Sequence, residues 1–350
     1  MRRCVRPVLA AGGLLPGLFL AFLVAARPAL AHGGPNLPPL DATTALGSWV
    51  IEPYGMVGIL AGLVAYLWAV REVDRRHPDN PVPRMRVVAW VAGLATTFVA
   101  LSSFVDVYAD TLLSVHMVQH LLLVFVAAPL LCLGAPVTLA LRVATPAVRQ
   151  RWLLPALHSR VLRVLTQPVV DWTLFAAVMW LSHFSGLFNA ALEDPVVHAL
   201  EHLIFIATAF LFWWPVVGAD PNPARMSYPV KVGYVMLQMP QNAFLGVALF
   251  SATAVLYPHY ATLTLPWLPD ALADQQLAGG LMWVAGDVLF MVPLLLVVAA
   301  WLRDEERKGR LYDERLAREQ ASRDEPREAL QPTGISSSVS TATATKSSAR

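Results

Sequence analysis

His116 and His120, in the run His116-Met117-Val118-Gln119-His120, stand four residues apart, as do His198 and His202 in His198-Ala199-Leu200-Glu201-His202. On a helix that interval puts two imidazoles on one face, about 6 Å apart along the axis. Neutral imidazole is the commonest protein ligand for transition metals, so each pair forms an edge that can grip an ion through two nitrogens. His183 adds a fifth imidazole from a separate segment. Only two cysteines occur, Cys4 and Cys132, which excludes a disulfide framework or a Cys-x-x-Cys hook. A metal here has to be held by His, Met or carboxylate.

The elements that position these residues are membrane helices. The chain is 56% hydrophobic and 14% charged, far from a water-soluble balance of about 45–50% apolar and 25% charged. Apolar runs near the roughly 20 residues that cross a bilayer as helix lie at about 50–70, 87–105, 114–141, 168–188, 196–217, 231–257 and 276–301. The fold class is an all-α integral membrane protein, a seven-helix bundle over 50–302. Ahead of it, Arg2, Arg3 and Arg6 precede the apolar stretch Val8 to Ala26 and the small residues Ala29-Leu30-Ala31, which reads as a signal peptide over 1–31 or as an additional span. Residues 32–49 form an outer segment and 303–350 a cytoplasmic tail. That tail alternates charges at helical spacing as far as Arg327 and ends in a Ser/Thr/Ala-rich, disordered stretch.

Orientation follows from the sorting of the 26 Lys and Arg residues. The loop from Arg71 to Arg86 holds five arginines and that from Arg142 to Arg163 another five; the third contributes Arg225 and Lys231, and the alternate loops hold none. By the positive-inside rule the amino terminus is outside and the carboxyl terminus inside, in the cell membrane. All five histidines then lie at similar depth near the outer face. That face carries Asp41, Asp106, Asp110, Glu193, Asp194, Asp270 and Asp274, an acidic surface that attracts cations. The basic residues serve orientation and form no compact patch with interleaved aromatics, which excludes nucleic acid as a partner; lipid is the surrounding one.

Ionisable groups inside spans are costly, face bundle interiors and mark function by default. Glu201 and Gln119 are placed to fix imidazole tautomers. Met117, Met236, Met239 and Met282 offer thioethers suited to Cu(I), although membrane methionines are more often core filler. Asp106, Asp110 and His259 are accessory candidates beside the first pair. Asp287, near the middle of the last span, is either a neutral hydrogen-bonded carboxyl or part of a relay. His32 becomes an amino-terminal chelator if cleavage follows Ala31, while His77 and His158 fall in cytoplasmic loops. Two rival chemistries stay open. His198 to His202 has the form H-x-x-E-H of a zinc protease, and histidines on facing helices also hold haem.

The stretch His116 to His120, followed by Ala128-Pro129-Leu130-Leu131 and Gly134-Ala135-Pro136, resembles the signature of the CtaG family of cytochrome c oxidase assembly proteins, the caa3-type group. His183 to His202 with Ala190-Ala191-Leu192, then Leu256-Tyr257-Pro258-His259-Tyr260, Asp274-Gln275-Gln276 and Gly279-Gly280-Leu281-Met282-Trp283 continue the resemblance in order. It covers about residues 45–302. The resemblance implies a copper-handling assembly factor that serves haem-copper oxidase subunits and draws on a copper donor protein, and not an enzyme. It carries His116, His120, His183, His198 and His202 over as the metal residues, with Asp274 and Gln275 beside them. A metal-free scaffold for oxidase subunits and a haem-binding cytochrome are the alternatives. Where the family has Pro after the fourth-span His, this chain has Phe184 and Ser185.

Overall fold

The computed structural model describes residues 37–51 and 53–328. The leader-like stretch 1–31, His32 and the low-complexity end lie outside the described residues. All regular structure among the described residues is helical. Ten helices carry the argument: α1 (Pro53–Arg76), α2 (Arg84–Ser102), α3 (Leu113–Leu121), α4 (Ala128–Leu133), α5 (Pro136–Val143), α6 (Pro168–Phe184), α7 (Leu187–Glu193), α8 (Pro195–Val217), α9 (Tyr228–Phe250) and α10 (Ala271–Glu328).

Among the described residues, five stretches are long and apolar enough to cross a membrane, namely α1, α2, the run Leu113–Val143 containing α3 to α5, α8 and the first part of α10. α6 and α7 form a sixth if counted as one span bent by 66°. The seventh expected span, α9, is a helix of 23 residues. Gln238, Gln241 and Asn242 near its middle keep it less apolar than the others. Large apolar side chains such as Trp68 on α1, Leu181 on α6, Leu203 on α8 and Leu296 on α10 stand exposed, as the lipid-facing surface of a bundle requires. Inside, Phe175, Phe205, Phe212, Trp213, Leu245 and Phe290 are buried in one core.

The run Leu113–Val143 is not a regular α-helix. Leu122–Ala127 is π-helical, with the Ala128 N–H bonded to the Leu123 carbonyl five residues back. The next bond in that series, from 129 to 124, cannot form because Pro129 has no N–H. The indole of Trp213 on α8 donates to the Val124 carbonyl instead, at 2.8 Å. A side chain from a neighbouring helix thus re-satisfies the group that proline freed. The run breaks again at Ala135, whose φ of 50° is left-handed. Asp220 accepts from the Val137 and Thr138 amides at 2.9 and 2.6 Å, covering the open end of α5.

Before the bundle, Asp41 caps the short helix Ala42–Gly47. The Thr43 hydroxyl, with the Thr43 and Thr44 amides, holds its carboxyl down to about 2, so it is charged at neutral pH. The chain divides into two units, residues up to 298 and from 299 onward. Among the described residues the second unit is the later part of α10. It is tied by exposed pairs such as Arg307 and Lys308 with Asp304, both at 2.9 Å.

α9 and α10 cross with their backbones nearly touching, because Gly246 faces Gly279. A β-carbon at Gly279 would sit 2.4 Å from the Phe250 nitrogen and 2.7 Å from the Gly246 carbonyl oxygen. No side-chain movement can relieve contact with backbone, so the helices must part. Gly279→Ala is therefore expected to destabilise by about 1–3 kcal/mol, read as a lowered unfolding temperature in detergent. Gly47→Ala, where a β-carbon meets nothing within 4 Å, is the comparison and should leave the transition in place.

Candidate metal centre

His116 lies near the start of α3 and His120 in its last turn, His198 and His202 occupy the first turns of α8, and His183 the last turn of α6. All five are buried, His116 completely. Their rings form one connected group, with centroids 4.4 Å apart for His116–His120, 5.5 Å for His116–His198 and 4.3 Å for His198–His202. His120 reaches His202 at 6.0 Å and His183 at 6.2 Å. The five imidazoles from three helices therefore converge, which spacing in the sequence alone could not establish.

The Nε2 atoms of His116 and His120 are 3.0 Å apart. Two nitrogens each about 2.0–2.1 Å from one metal, at angles between square and tetrahedral, lie about 2.9–3.4 Å apart. The pair has that separation, and a ligating His120 would carry its proton on Nδ1 and not on the Nε2 between the rings.

Hydrogen bonds fix which nitrogen of each ring carries the proton. Gln119, fully buried, donates through Nε2 to the Ala100 carbonyl at 2.9 Å and to Asp106 Oδ1 at 2.7 Å, so its Oε1 is oriented toward His202. His202 Nε2 donates to that oxygen at 3.2 Å. His183 Nδ1 donates to the Met179 carbonyl at 2.7 Å, leaving Nε2 without a partner. The Tyr260 hydroxyl donates to the Ala109 carbonyl at 2.9 Å and its oxygen faces His116 Nδ1 at 3.4 Å. His116 Nε2 is then a lone pair, to which His120 Nε2 donates. Such partners orient metal-binding imidazoles and raise their basicity.

Glu201 sits between His198 and His202 on α8, and both its oxygens are buried without a hydrogen-bond partner. One oxygen lies within 4.8 Å of ligand nitrogens of His116 and His120, which are equally close to each other. Asp110, His116 and His198 form a second such group. Burying an unpartnered carboxylate is costly, and a cation beside it removes the cost. Glu201, with nitrogens of His116 and His120, is thus a donor set that fits a metal ion.

Phe188 lies 4.9 Å from His116 and 5.9 Å from His183, and Phe205 lies 4.5 Å from His120. This wall keeps bulk water from the imidazoles. Phe188 lies on α7, so the bend after α6 is what delivers it. The corner is made at Phe184 and Ser185, where the Ser185 hydroxyl accepts from the Leu187 amide at 3.2 Å. Nothing in the sequence singled out Phe188, Phe205 or Tyr260, although Tyr260 closes the five-residue run Leu256 to Tyr260 already noted.

The remaining candidates are placed around the cluster. Asp106 accepts from Gln119. Asp274 accepts from the Ser114 hydroxyl at 2.6 Å and the Ser114 amide at 3.3 Å, capping α3 from α10. Its carboxylate does the work that Leu112, the residue at the cap position, cannot. Gln275 ties down the chain at Ala254 and Leu256, and His259 donates to the Asp110 carbonyl at 2.9 Å. Met117 is buried and lines a cavity of about 20 Å³ with His120, His183, Met179, Met282 and Asn242. Asp287 lies beyond that cavity, beside Asn242.

The model of the cytochrome c oxidase caa3 assembly factor family (Caa3_CtaG) matches residues 64–304, which include all five histidines. The chain belongs to that family. Over 282 residues it is 32% identical to uncharacterized proteins of Mycobacterium bovis and Mycobacterium tuberculosis, covering 78% of this chain and 42% of each of theirs. An uncharacterized protein of Mycobacterium leprae is 32% identical over 260 residues, 72% of this chain and 39% of that one. The chain thus spans about two fifths of the length of these curated relatives. No solved structure matches it.

Gln119→Leu keeps the shape of the side chain but strands the Ala100 carbonyl, Asp106 and the His202 N–H at once. It is expected to cost about 1–3 kcal/mol of stability and to free the His202 ring to turn. Thermal unfolding in detergent reads the first effect. NMR of imidazole-labelled protein reads the second, as exchange broadening at His202.

Proposed function

We propose that this chain is a membrane assembly factor for a haem-copper cytochrome c oxidase and that it holds copper as cargo in the His116, His120, His183, His198 and His202 cluster. The bundle is read as seven spans in the cell membrane, amino terminus outside and carboxyl terminus inside. The cluster then lies beneath the outer boundary, where a donor protein loads it and the oxidase subunit receives the ion. Family membership supports the assembly role. What carries the copper reading is the buried convergence of five imidazoles, with Glu201, a carboxylate without a hydrogen-bond partner, close to His116 and His120.

Imidazole accepts several metals, and Cu(II) is the tightest divalent occupant of a nitrogen site. Met117, Met179 and Met282 around the adjoining cavity add soft donors that suit Cu(I). The role is that of a chaperone, with exchange and not catalysis as the chemical event. Haem fits this region less well. The cavity beside His120 and His183 is about 20 Å³, room for a water molecule and not for a macrocycle. The larger groove of about 420 Å³ between α1, α2 and α8 has His202 as its sole lining imidazole.

Replacing His116 and His120 together by Ala is expected to weaken copper binding by roughly a hundredfold or more, since loss of supporting partners alone costs 10–100-fold. Membrane insertion should be intact, and oxidase activity in a copper-limited deletion strain should fall. Copper quantitation on the purified wild type and double variant, with oxidase assays on the same strains, decides the matter. Equal copper content and equal activity would leave the metal-free scaffold as the better reading.

A further inference from the structure

Beyond the imidazoles, α6, α9 and α10 carry a row of buried polar side chains that the metal centre does not use. Tyr234, Gln238 and Asn242 recur every fourth residue of α9, so they share one face at intervals of about 6 Å, and all three are buried. α6 runs alongside in the same direction. Tyr234 faces Asp171 in the first turn of α6, and Asn242 shares the cavity of about 20 Å³ with Met179 and His183 near its end. Asp171 to Met179 and Tyr234 to Asn242 are both eight-residue steps, so the two registers agree. Asp287 of α10 joins beside Asn242, whose amide donates to the Met282 carbonyl at 3.0 Å.

These side chains leave much of their hydrogen-bonding capacity unused within the chain. Gln238 donates to Gln241. The Tyr234 hydroxyl, Gln238 Oε1, Gln241 Nε2, Asp287 Oδ1 and both oxygens of Asp171 are nonetheless buried without a protein partner of normal geometry. Within a bilayer each such atom costs several kcal/mol unless water reaches it. An interval of about 6 Å is two hydrogen bonds of about 2.8 Å, the span of one bridging water. The row thus has the chemistry and spacing of a single file of waters, ending in a carboxylate.

We propose that this row is a proton path joining the cavity beside His120 and His183 to the far end of α6, with Asp171 as its terminal proton donor and acceptor. The amides of Gln238, Gln241 and Asn242 hold the waters in line, and protons hop from water to water. Asp171 alternates between carboxylate and carboxylic acid, so each proton entering at one end is matched by one leaving at the other. Metal ions are poorly served by the same row, because its amide and phenol oxygens are weak donors for a soft ion and the cavity of about 20 Å³ at its end leaves no room for a hydrated one. The path stands apart from the copper reading, and its test uses metal-free protein.

The full chain, purified in chelator and reconstituted into liposomes loaded with a pH-sensitive dye, is held under a potassium-diffusion potential. Wild type should acidify the lumen faster than protein-free vesicles. Asp171→Asn and Gln238→Leu should each reduce that flux by roughly tenfold, while Asp171→Glu retains most of it, as expected of an intramembrane relay. Size-exclusion profile and unfolding temperature confirm that each variant is folded; if one is not, the other decides. Flux equal to that of protein-free vesicles, or full flux in a folded Asp171→Asn or Gln238→Leu protein, overturns the proposal.

Discussion

A polar atom in the interior of a membrane bundle has no bulk water to turn to, and the resulting demand for partners governs this structure from its backbone to its histidine cluster. Pro129 frees the Val124 carbonyl and the Trp213 indole takes it. The bare amino end of α3 is covered by Asp274 and that of α5 by Asp220. Gln119 spends its whole amide on three partners from three parts of the chain. Where the demand is met, the side chains are held rigidly. Where it is not, as at Glu201 and His183 Nε2, the chain displays donors arranged for something that is not protein.

That division explains the order around the imidazoles. The His183 ring is held at Nδ1 by the Met179 carbonyl, and its Nε2 is left without a protein partner. The aromatic wall of Phe188 and Phe205 excludes water, and a dry site strengthens the pull of a carboxylate on a cation. The bend after α6 matters for this reason, since without it Phe188 would not stand over His116 and His183.

Much of the site could be read before any fold was known. The four-residue spacing of the histidine pairs gave their common faces, and the sorting of arginines implied that the pairs share a depth. Glu201 was visible as a polar residue on the same face. Helix adjacency is not written in spacing, so the meeting of the rings required coordinates. Asp274, an accessory candidate in the sequence, caps α3 through a contact between segments 160 residues apart, which no spacing reveals. Apolar length suggested a span over 231–257, whereas α9 ends at Phe250 and carries amides on its buried face. Hydropathy averages over faces and so cannot see polar atoms turned inward together. The π-helical segment left only Pro129 as its trace.

That segment also acts as a phase setter. A π turn accommodates one residue more than the α-helical repeat, and each residue turns a helix by about 100°. Everything after Leu122–Ala127, including the left-handed turn at Ala135 and the arginine-bearing loop, is clocked against the His116–His120 edge by that single surplus residue. Removing one position from the segment would keep its apolar character and its proline, yet swing one half of the run by more than a quarter turn about its axis. The aim of the imidazoles toward α8 is thus tied to an insertion further along the same rod.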